Sequence, residues 1–390
     1  MKKALIVTAS TGAGHNSVAR SLRDALNYVG EGAVEVYIID LLAQNSSFIG
    51  QTSRLYSPII VHYPYLWRLI YNLSDSNIFC RLFRTLVTKT WGNLVLYLLK
   101  AEAPDCILCV HPLCNQIIAQ GLLKTKSPVP LITVITDLGD AHYTWIAPEV
   151  SLYIAPTAET HSSLLAKGVD CQRLALLGLP VGRRFFRDAT DRCQIRQKAA
   201  LNKGKLSILL TGGGEGAGAI LAAAKAISEA RLPVSLTIAC GRNENLCREL
   251  AGYRLTIPHQ VMGFKEDMSQ VIKTVDIVIG KAGALTIGEA IAARVPIIIL
   301  KPLPGQERGN VEFVRRYGMG VAVSSLPCLV KLLETWIANP NEIEEVAAKG
   351  DNYRLKWSQA ANKVAATVLN VEGEQREVAE LVIKNGRMAQ

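Results

Sequence analysis

Acidic side chains, aromatic rings and long apolar runs are all in short supply in this chain of 390 residues. Asp and Glu number 33 against 43 Lys and Arg, a formal net charge of +10, which favours anionic partners: phosphorylated ligands, anionic lipid or nucleic acid. Only 19% of residues are charged while 49% are hydrophobic, which excludes a disordered chain and supplies large cores. No run approaches the ~20 apolar residues of a membrane-spanning helix. The longest charge-free candidate, Cys106–Leu123, is interrupted by His111, Pro112, Asn115 and Gln116 and reads as a strand followed by a helix. Lys2 and Lys3 precede an apolar run that stops after about six residues at Ser10-Thr11-Gly12, too short for the hydrophobic region of a signal peptide. Nine cysteines at scattered spacings argue against a disulfide framework and suit a reduced, cytoplasmic protein. Cys106 and Cys109 have the spacing of a redox or zinc pair, but they fall in a buried strand, where residues three apart point to opposite faces.

What is present is a repeating alternation. Ala4–Thr8 is a short buried strand, followed by a Gly-rich turn, a helix through Val18, Leu22 and Leu26, and a second strand at Val34–Ile39. Further buried strands are expected at Cys106–Val110, Leu131–Thr136 and Leu152–Ala155. The pattern restarts after the charged stretch Arg183–Lys205, with strands at Leu206–Leu210, Val234–Ala239, Ile277–Ile279 and Pro296–Leu300 and an alanine-rich helix at Ala219–Ala230. Strands alternating with helices imply parallel sheets covered on both faces. The expected architecture is two α/β domains, 1–185 and 186–370, facing a central cleft, with a tail at 371–390. Ligands in such folds sit at the carboxyl ends of the strands.

Residues 51–100 break the alternation. They hold nine of the 24 aromatic residues, including Tyr65, Trp67 and Trp91, and six basic residues, including Arg68, Arg81, Arg84 and Lys89, against the single acid Asp75. Basic residues interleaved with Tyr and Trp suit a membrane interface. A helical insertion with buried aromatics would read the same way. Base stacking is the weaker reading, and no nucleic-acid partner is expected.

The chemistry-bearing segments lie in loops after strands. Thr11–Ser17 places Gly12 and Gly14 where backbone N–H groups approach an acceptor at a helix start, and adds His15, a titratable base. Thr211–Gly218 contains Gly212, Gly213 and Gly214 beside Glu215, a loop whose entropic cost suits close approach to phosphate. Gly263-Phe264 offers backbone to a base edge. Gly280–Glu289 is a small-residue turn opening a helix, with Glu289 placed to accept from a ribose diol. Lys301–Asn310 is a Pro/Gly loop crowded with amide, carboxylate and guanidinium groups. Three histidines (His15, His111, His142) and Asp137 fall at strand ends of the first domain, with Trp145 in the same loop as His142. No close ligand pair among them suggests a metal site.

Gly12–His15, Gly212–Gly216, Lys281–Glu289 and Pro304-Gly-Gln-Glu-Arg-Gly-Asn310, together with Asp137-Leu138 and Gly178–Val181, resemble the monogalactosyldiacylglycerol synthase and processive diacylglycerol glucosyltransferase group. The resemblance runs in order over about residues 1–370. It implies a GT-B fold of two Rossmann-like domains and inverting, metal-independent transfer of a hexose from UDP-glucose or UDP-galactose to diacylglycerol, with no cofactor. His15 would be the base or acceptor-orienting group, with Asp137 as a second catalytic candidate. Gly14, Gly212–Glu215 and Gly283, Ala284, Leu285 and Thr286 would hold the diphosphate, the Phe264 backbone the uracil and Glu289 the ribose. Gly305, Gln306, Glu307 and Asn310 would contact sugar and phosphate. Tyr65, Trp67, Arg68, Arg81, Arg84, His111, His142 and Trp145 would serve the acceptor and an anionic membrane surface, on whose cytoplasmic face the enzyme would sit peripherally. Ala284-Leu285 and Arg308 depart from the family pattern. The rivals are the same fold with a polyprenyl or soluble acceptor, and a Rossmann oxidoreductase using Gly12 and Asp40. The latter lacks a third glycine at Ser17 and leaves the second Gly loop unexplained.

Overall fold

The computed structural model describes residues 1–10, 12–43, 58–186 and 205–370. Thr11, residues 51–57 of the aromatic segment, the charged stretch over 187–204 and the tail 371–390 lie outside the described residues, as does the side chain of Lys89. The first domain runs β1 (Lys2–Thr8), α1 (Ala13–Val29), β2 (Val34–Asp40), α2 (Pro64–Ser74), α3 (Asn77–Glu102), β3 (Cys106–Cys109), α4 (Pro112–Thr125), β4 (Leu131–Val134), β5 (Val150–Ala155), α5 (Ala158–Ala166) and β6 (Leu174–Leu176). The second runs β7 (Leu206–Thr211), α6 (Ile220–Glu229), β8 (Val234–Ala239), α7 (Glu244–Gly252), β9 (His259–Met262), α8 (Ser269–Thr274), β10 (Ile277–Gly280), α9 (Ala284–Ala292), β11 (Ile297–Leu300), α10 (Arg308–Tyr317), β12 (Gly320–Val323), α11 (Leu326–Ala338), α12 (Pro340–Ala348) and α13 (Asp351–Ser358). A last helix occupies 360–370.

Each domain is one six-stranded sheet, ordered β2-β1-β3-β4-β5-β6 and β9-β8-β7-β10-β11-β12. Every pairing is parallel. These are two Rossmann-like domains, and in each the order reverses beside the first strand, between β1 and β3 and between β7 and β10. A crevice opens outside the carboxyl ends of the strands at such a point. The sequence reading had no strands at β6 and β12, short edge strands that are largely half-exposed and lack the apolar run of their neighbours.

Period-two alternation divides the side chains of each sheet between two cores. Ala4, Ile6, Cys106, Leu108, Ile132 and Val134 belong to one cluster. Leu5, Val7, Ile107, Cys109 and Leu131 belong to another. Cys106 and Cys109 are thus buried on opposite faces, as their spacing predicts. The first of these clusters continues into the second domain through Leu209, Val278, Ile297 and Ile299, so the two sheets share a continuous apolar region.

The insertion between β2 and β3 is helical and divided in character. The amino-terminal half of α3 and one side of α2 expose aliphatic residues, Leu69 at 56%, Leu73 at 66%, Ile78 at 73% and Leu82 at 67%, together with Tyr65 at 77%. Trp91, Val95 and Leu98 are buried, and Gly121 of α4 lets that helix approach Val95 closely. The tryptophans therefore do not form the exposed face; leucines and isoleucines do.

The chain crosses back to the first domain at its end. Trp357 is buried, donates through Nε1 to the Pro156 carbonyl at 3.3 Å and packs over Gly178, whose φ is +100°. Lys2 Nζ donates to the Leu369 carbonyl at 3.1 Å. Truncating a buried tryptophan leaves a cavity and costs about 3–5 kcal/mol. Trp357→Ala is therefore expected to lower the thermal midpoint by several degrees in circular dichroism. An unchanged midpoint would show that this crossing carries no stability.

Candidate functional site

The two switch points bring two helix starts together. The helix α1 begins after Gly12, at φ +138°, and α9 begins after Gly283; neither is capped by a side chain. The first N–H groups of a helix have no intrahelical partner and carry the positive end of its dipole. Both starts line one cavity of about 760 Å³, with His15, Asp137, Gly213, Lys281 and Gln306. Uncapped helix starts beside a lysine form an anion-binding surface.

The loop after β7 completes it. Gly213 has φ +70°, and its N–H donates to Thr211 Oγ1 at 3.2 Å. A Cβ on Gly214 would meet Ala13 at 2.7 Å, so the second domain's Gly loop abuts the first domain's helix start backbone to backbone. Gly14, Gly213, Gly214, Leu285 and Thr286 also line an adjoining cavity of about 690 Å³ that extends to Gly263, Phe264, Lys265, Ser17, Arg20 and Glu289. Arg242 lies over the Phe264 ring at 4.0 Å and pairs with Glu215 at 2.9 Å. Glu215 thus faces the first cavity with its carboxylate already engaged.

Glu289 sits one turn into α9. Burial pushes its carboxyl up to about 8, opposed by Arg184 and by the Ser17 hydroxyl, which donates to Oε1 at 3.5 Å. The group is held neutral, ready to ionise against polar partners.

His15 Nδ1 lies 2.7 Å from the Val110 carbonyl. A carbonyl only accepts, so Nδ1 carries the proton and Nε2 keeps a basic lone pair. Burial lowers the imidazole to about 4 against the opposing effect of that hydrogen bond. Asp137 accepts from Trp145 Nε1 at 2.7 Å, and burial raises its carboxyl to about 6. The ring centroids of His15 and Trp145 are 6.3 Å apart, so the wholly buried Trp145 lies between the base and the acid. His111 is buried with its ring edge-on to His15 at 4.7 Å and accepts from Cys114 N–H as the N-cap of α4. His142 sits apart. Its Nε2 donates to the Tyr71 carbonyl at 3.0 Å, holding α2 against the rest of the first domain, while its Nδ1 faces Thr144 Oγ1 of its own loop at 2.7 Å.

In the Pro/Gly loop, the buried Glu307 carboxylate binds Lys281 Nζ at 2.5 Å, Ala282 N–H at 3.0 Å and Leu303 N–H at 2.9 Å. Asn310 donates to the Ala282 carbonyl at 2.9 Å and accepts from Leu138 N–H at 3.0 Å, across the cleft. Gln306 lines the first cavity and accepts from Trp67 Nε1 at 3.0 Å. Arg68 is exposed on the insertion but its stem lies beside Gly305, 3.7 Å from where a Cβ there would sit, whereas Arg81 is exposed and Arg84 half-buried.

Sequence reasoning overlooked Lys281, Ser17, Arg20, Arg242 and the inward role of Trp67. Lys281 stood inside a quoted motif, and Ser17 and Arg20 follow Gly14 at helical spacing, a signal that was available. Arg242 and Trp67 reach the site only through folding.

Two Rossmann-like domains facing this cleft define the GT-B fold. The sequence matches the monogalactosyldiacylglycerol (MGDG) synthase family over residues 15–181 and the glycosyltransferase family 28 C-terminal domain over residues 207–349. A probable monogalactosyldiacylglycerol synthase 2 of Oryza sativa subsp. japonica is 33% identical over 331 residues, covering 82% of this chain and 70% of that protein. Monogalactosyldiacylglycerol synthase 2 of Arabidopsis thaliana is 30% identical over 364 residues, covering 90% and 77%. Among solved structures, Acinetobacter baumannii MurG superposes with a TM-score of 0.59 at 17% identity, covering 95% of this chain and all of that one. The chain belongs to the monogalactosyldiacylglycerol synthase family.

The raised Glu289 carboxyl has a consequence for stability. The folded state keeps it protonated to about pH 8, whereas an unfolded Glu ionises near pH 4.3. Stability is therefore lost as pH rises between these values, and none of this loss is present below the lower one. Glu289→Gln is expected to raise the thermal midpoint of the free protein at pH 8 but not at pH 4, while weakening nucleotide binding by about 1.5–3 kcal/mol. An equal midpoint shift at both pH values in calorimetry would contradict the buried neutral acid.

Proposed function

We propose that this protein transfers galactose, with inversion, from UDP-galactose to the free hydroxyl of diacylglycerol. The observation that carries the proposal is the cavity that His15, with its basic Nε2, lines together with two uncapped helix starts and Lys281. Uracil lies against the Gly263-Phe264 backbone and the ribose diol on Glu289. The diphosphate takes the N–H groups of Gly213–Gly214 and of Gly283–Thr286. Gln306 serves the sugar, while Glu307 acts through Lys281. Both ends of the Asn310 amide hold the loop rather than the ligand.

The acceptor hydroxyl gives its proton to His15 Nε2 as it attacks the anomeric carbon from the face opposite the leaving diphosphate. A ring that is neutral in the free protein is available as a base at neutral pH. Asp137 and the bound phosphates stabilise the imidazolium that forms. Charge developing on the departing UDP is met by fixed helix dipoles and Lys281, in a site that needs no reorganisation. The reaction is proposed to need no metal or other cofactor. The relatives' names point to galactose rather than glucose.

Among the described residues no helix is long and apolar enough to cross a membrane. The aliphatic row on α2 and α3, with exposed Arg68 and Arg81 beside it, is proposed to rest on an anionic bilayer, placing the acceptor near the cleft. The eight described cysteines are all free, and the cytoplasmic face is the proposed setting, though the plant relatives are described as chloroplastic.

Incubation with diacylglycerol vesicles and each UDP-hexose in turn, followed by lipid mass spectrometry, should give galactosyl-diacylglycerol from UDP-galactose, unchanged by EDTA. His15→Ala should lower turnover at least ~10²-fold with UDP binding retained. Product from a polyprenyl acceptor alone would overturn the assignment. For the bilayer contact, Leu66, Leu69 and Leu73 changed together to Gln should abolish sedimentation with anionic vesicles and spare activity on a detergent-dispersed acceptor. Persistent sedimentation would move the membrane contact to another surface.

A further inference from the structure

The insertion that offers leucines to the outside also reaches inward. Trp67 projects from α2 of the first domain and donates through Nε1 to Gln306 Oε1, at 3.0 Å, on the Pro/Gly loop of the second domain. An indole N–H is only a donor, so the Gln306 amide must present its oxygen to Trp67. Its Nε2 is thereby directed away from Trp67, and among the described residues no hydrogen bond engages it. Gln306 lines the cavity that holds His15.

The strut is rigid at both ends. On one side, His142 holds the Tyr71 carbonyl and the Tyr143 N–H donates to Asp75 at 2.8 Å, fixing the end of α2. On the other, Gly305 has φ +84°, and a Cβ there would lie 3.2 Å from the Tyr71 ring and 3.3 Å from the Asn72 side chain. The loop therefore meets the helix closely, and a side chain there would have to push Tyr71 and Asn72 back. Buried Ile60, Ala217 and Leu303 pack with the partly buried Trp67 at this corner.

We propose that Trp67 is a positioning residue for the donor sugar: its indole N–H sets the Gln306 amide so that Nε2 donates to an oxygen of the hexose. The acceptor-side insertion thus completes the donor site across the cleft. This rests on the UDP-hexose reading above and adds to it a residue that touches neither substrate.

Trp67→Phe keeps an aromatic ring in the corner and removes the donor with part of the indole. UDP lacks the hexose, so calorimetry with UDP, UDP-galactose and UDP-glucose separates sugar positioning from damage to the nucleotide site. Trp67→Phe should change UDP affinity less than about twofold and weaken the preferred UDP-hexose about 5–10-fold, the effect of one hydrogen bond. Gln306→Ala should weaken the same UDP-hexose, and Trp67→Phe should add nothing in that background, because the two act as one unit. Unchanged UDP-hexose affinity in Trp67→Phe, equal weakening of UDP and UDP-hexose, or additive effects in the double variant would each overturn the proposal. If the parent binds neither UDP-hexose, the donor reading falls and this proposal with it. If the parent binds one and the variants match it, only this proposal falls.

Discussion

A buried carboxylate holds the cleft in shape. Glu307 collects Lys281, the Ala282 N–H and the Leu303 N–H, tying the loop after β10 to the loop after β11. One turn later Asn310 clamps the Ala282 carbonyl and the Leu138 N–H, so the same turn of α10 joins the second domain to the strand end that carries Asp137. A buried charge is tolerable only when paired and fully hydrogen-bonded. Its partners here are the backbone beside the anion-binding helix start and the site lysine. Disturbing Glu307 would therefore act on the diphosphate surface and on domain contact together.

The electrostatics of the free protein follow from desolvation. Burial pushes Glu289 to about 8 and Asp137 to about 6 and lowers His15 to about 4, so each shift favours the uncharged form. Against this muted background stand Lys281 and two uncapped helix starts. On the proposed reading, a diphosphate and ribose arriving there would supply both the charge these dipoles stabilise and the hydrogen-bond donors that favour ionised Glu289.

The insertion between β2 and β3 connects this chemistry to the outside. Its exposed aliphatic row suits a lipid surface, its carboxyl end packs into the first domain's core through Trp91, Val95 and Leu98, and its inner face reaches the sugar loop through Trp67. One helical excursion thus carries three kinds of environment, which is why its composition alone supported two readings. The aromatic residues were the visible feature, yet two of its tryptophans face inward and leucine supplies most of the exposed surface.

The alternation of strands and helices, the opposite burial of Cys106 and Cys109, the glycine loops and the family resemblance carried by Pro304–Asn310 are legible in the order of the amino acids. These follow from local rules: periodicity two or 3.6, the steric freedom of glycine and a short ordered motif. What the polar groups of those motifs do emerges only once the chain has folded. Asn310, read as a ligand contact, spends its amide on backbone, and Glu307, read the same way, spends its carboxylate on backbone and on Lys281. His142, read beside His15, fixes a helix. Trp67, assigned to a membrane face, points at the donor loop. Each outcome includes a partner distant in the chain, such as Gln306 for Trp67 at a separation of 239. Hydrogen bonding is set by which buried donors and acceptors meet after the two sheets close, and no local pattern encodes that meeting.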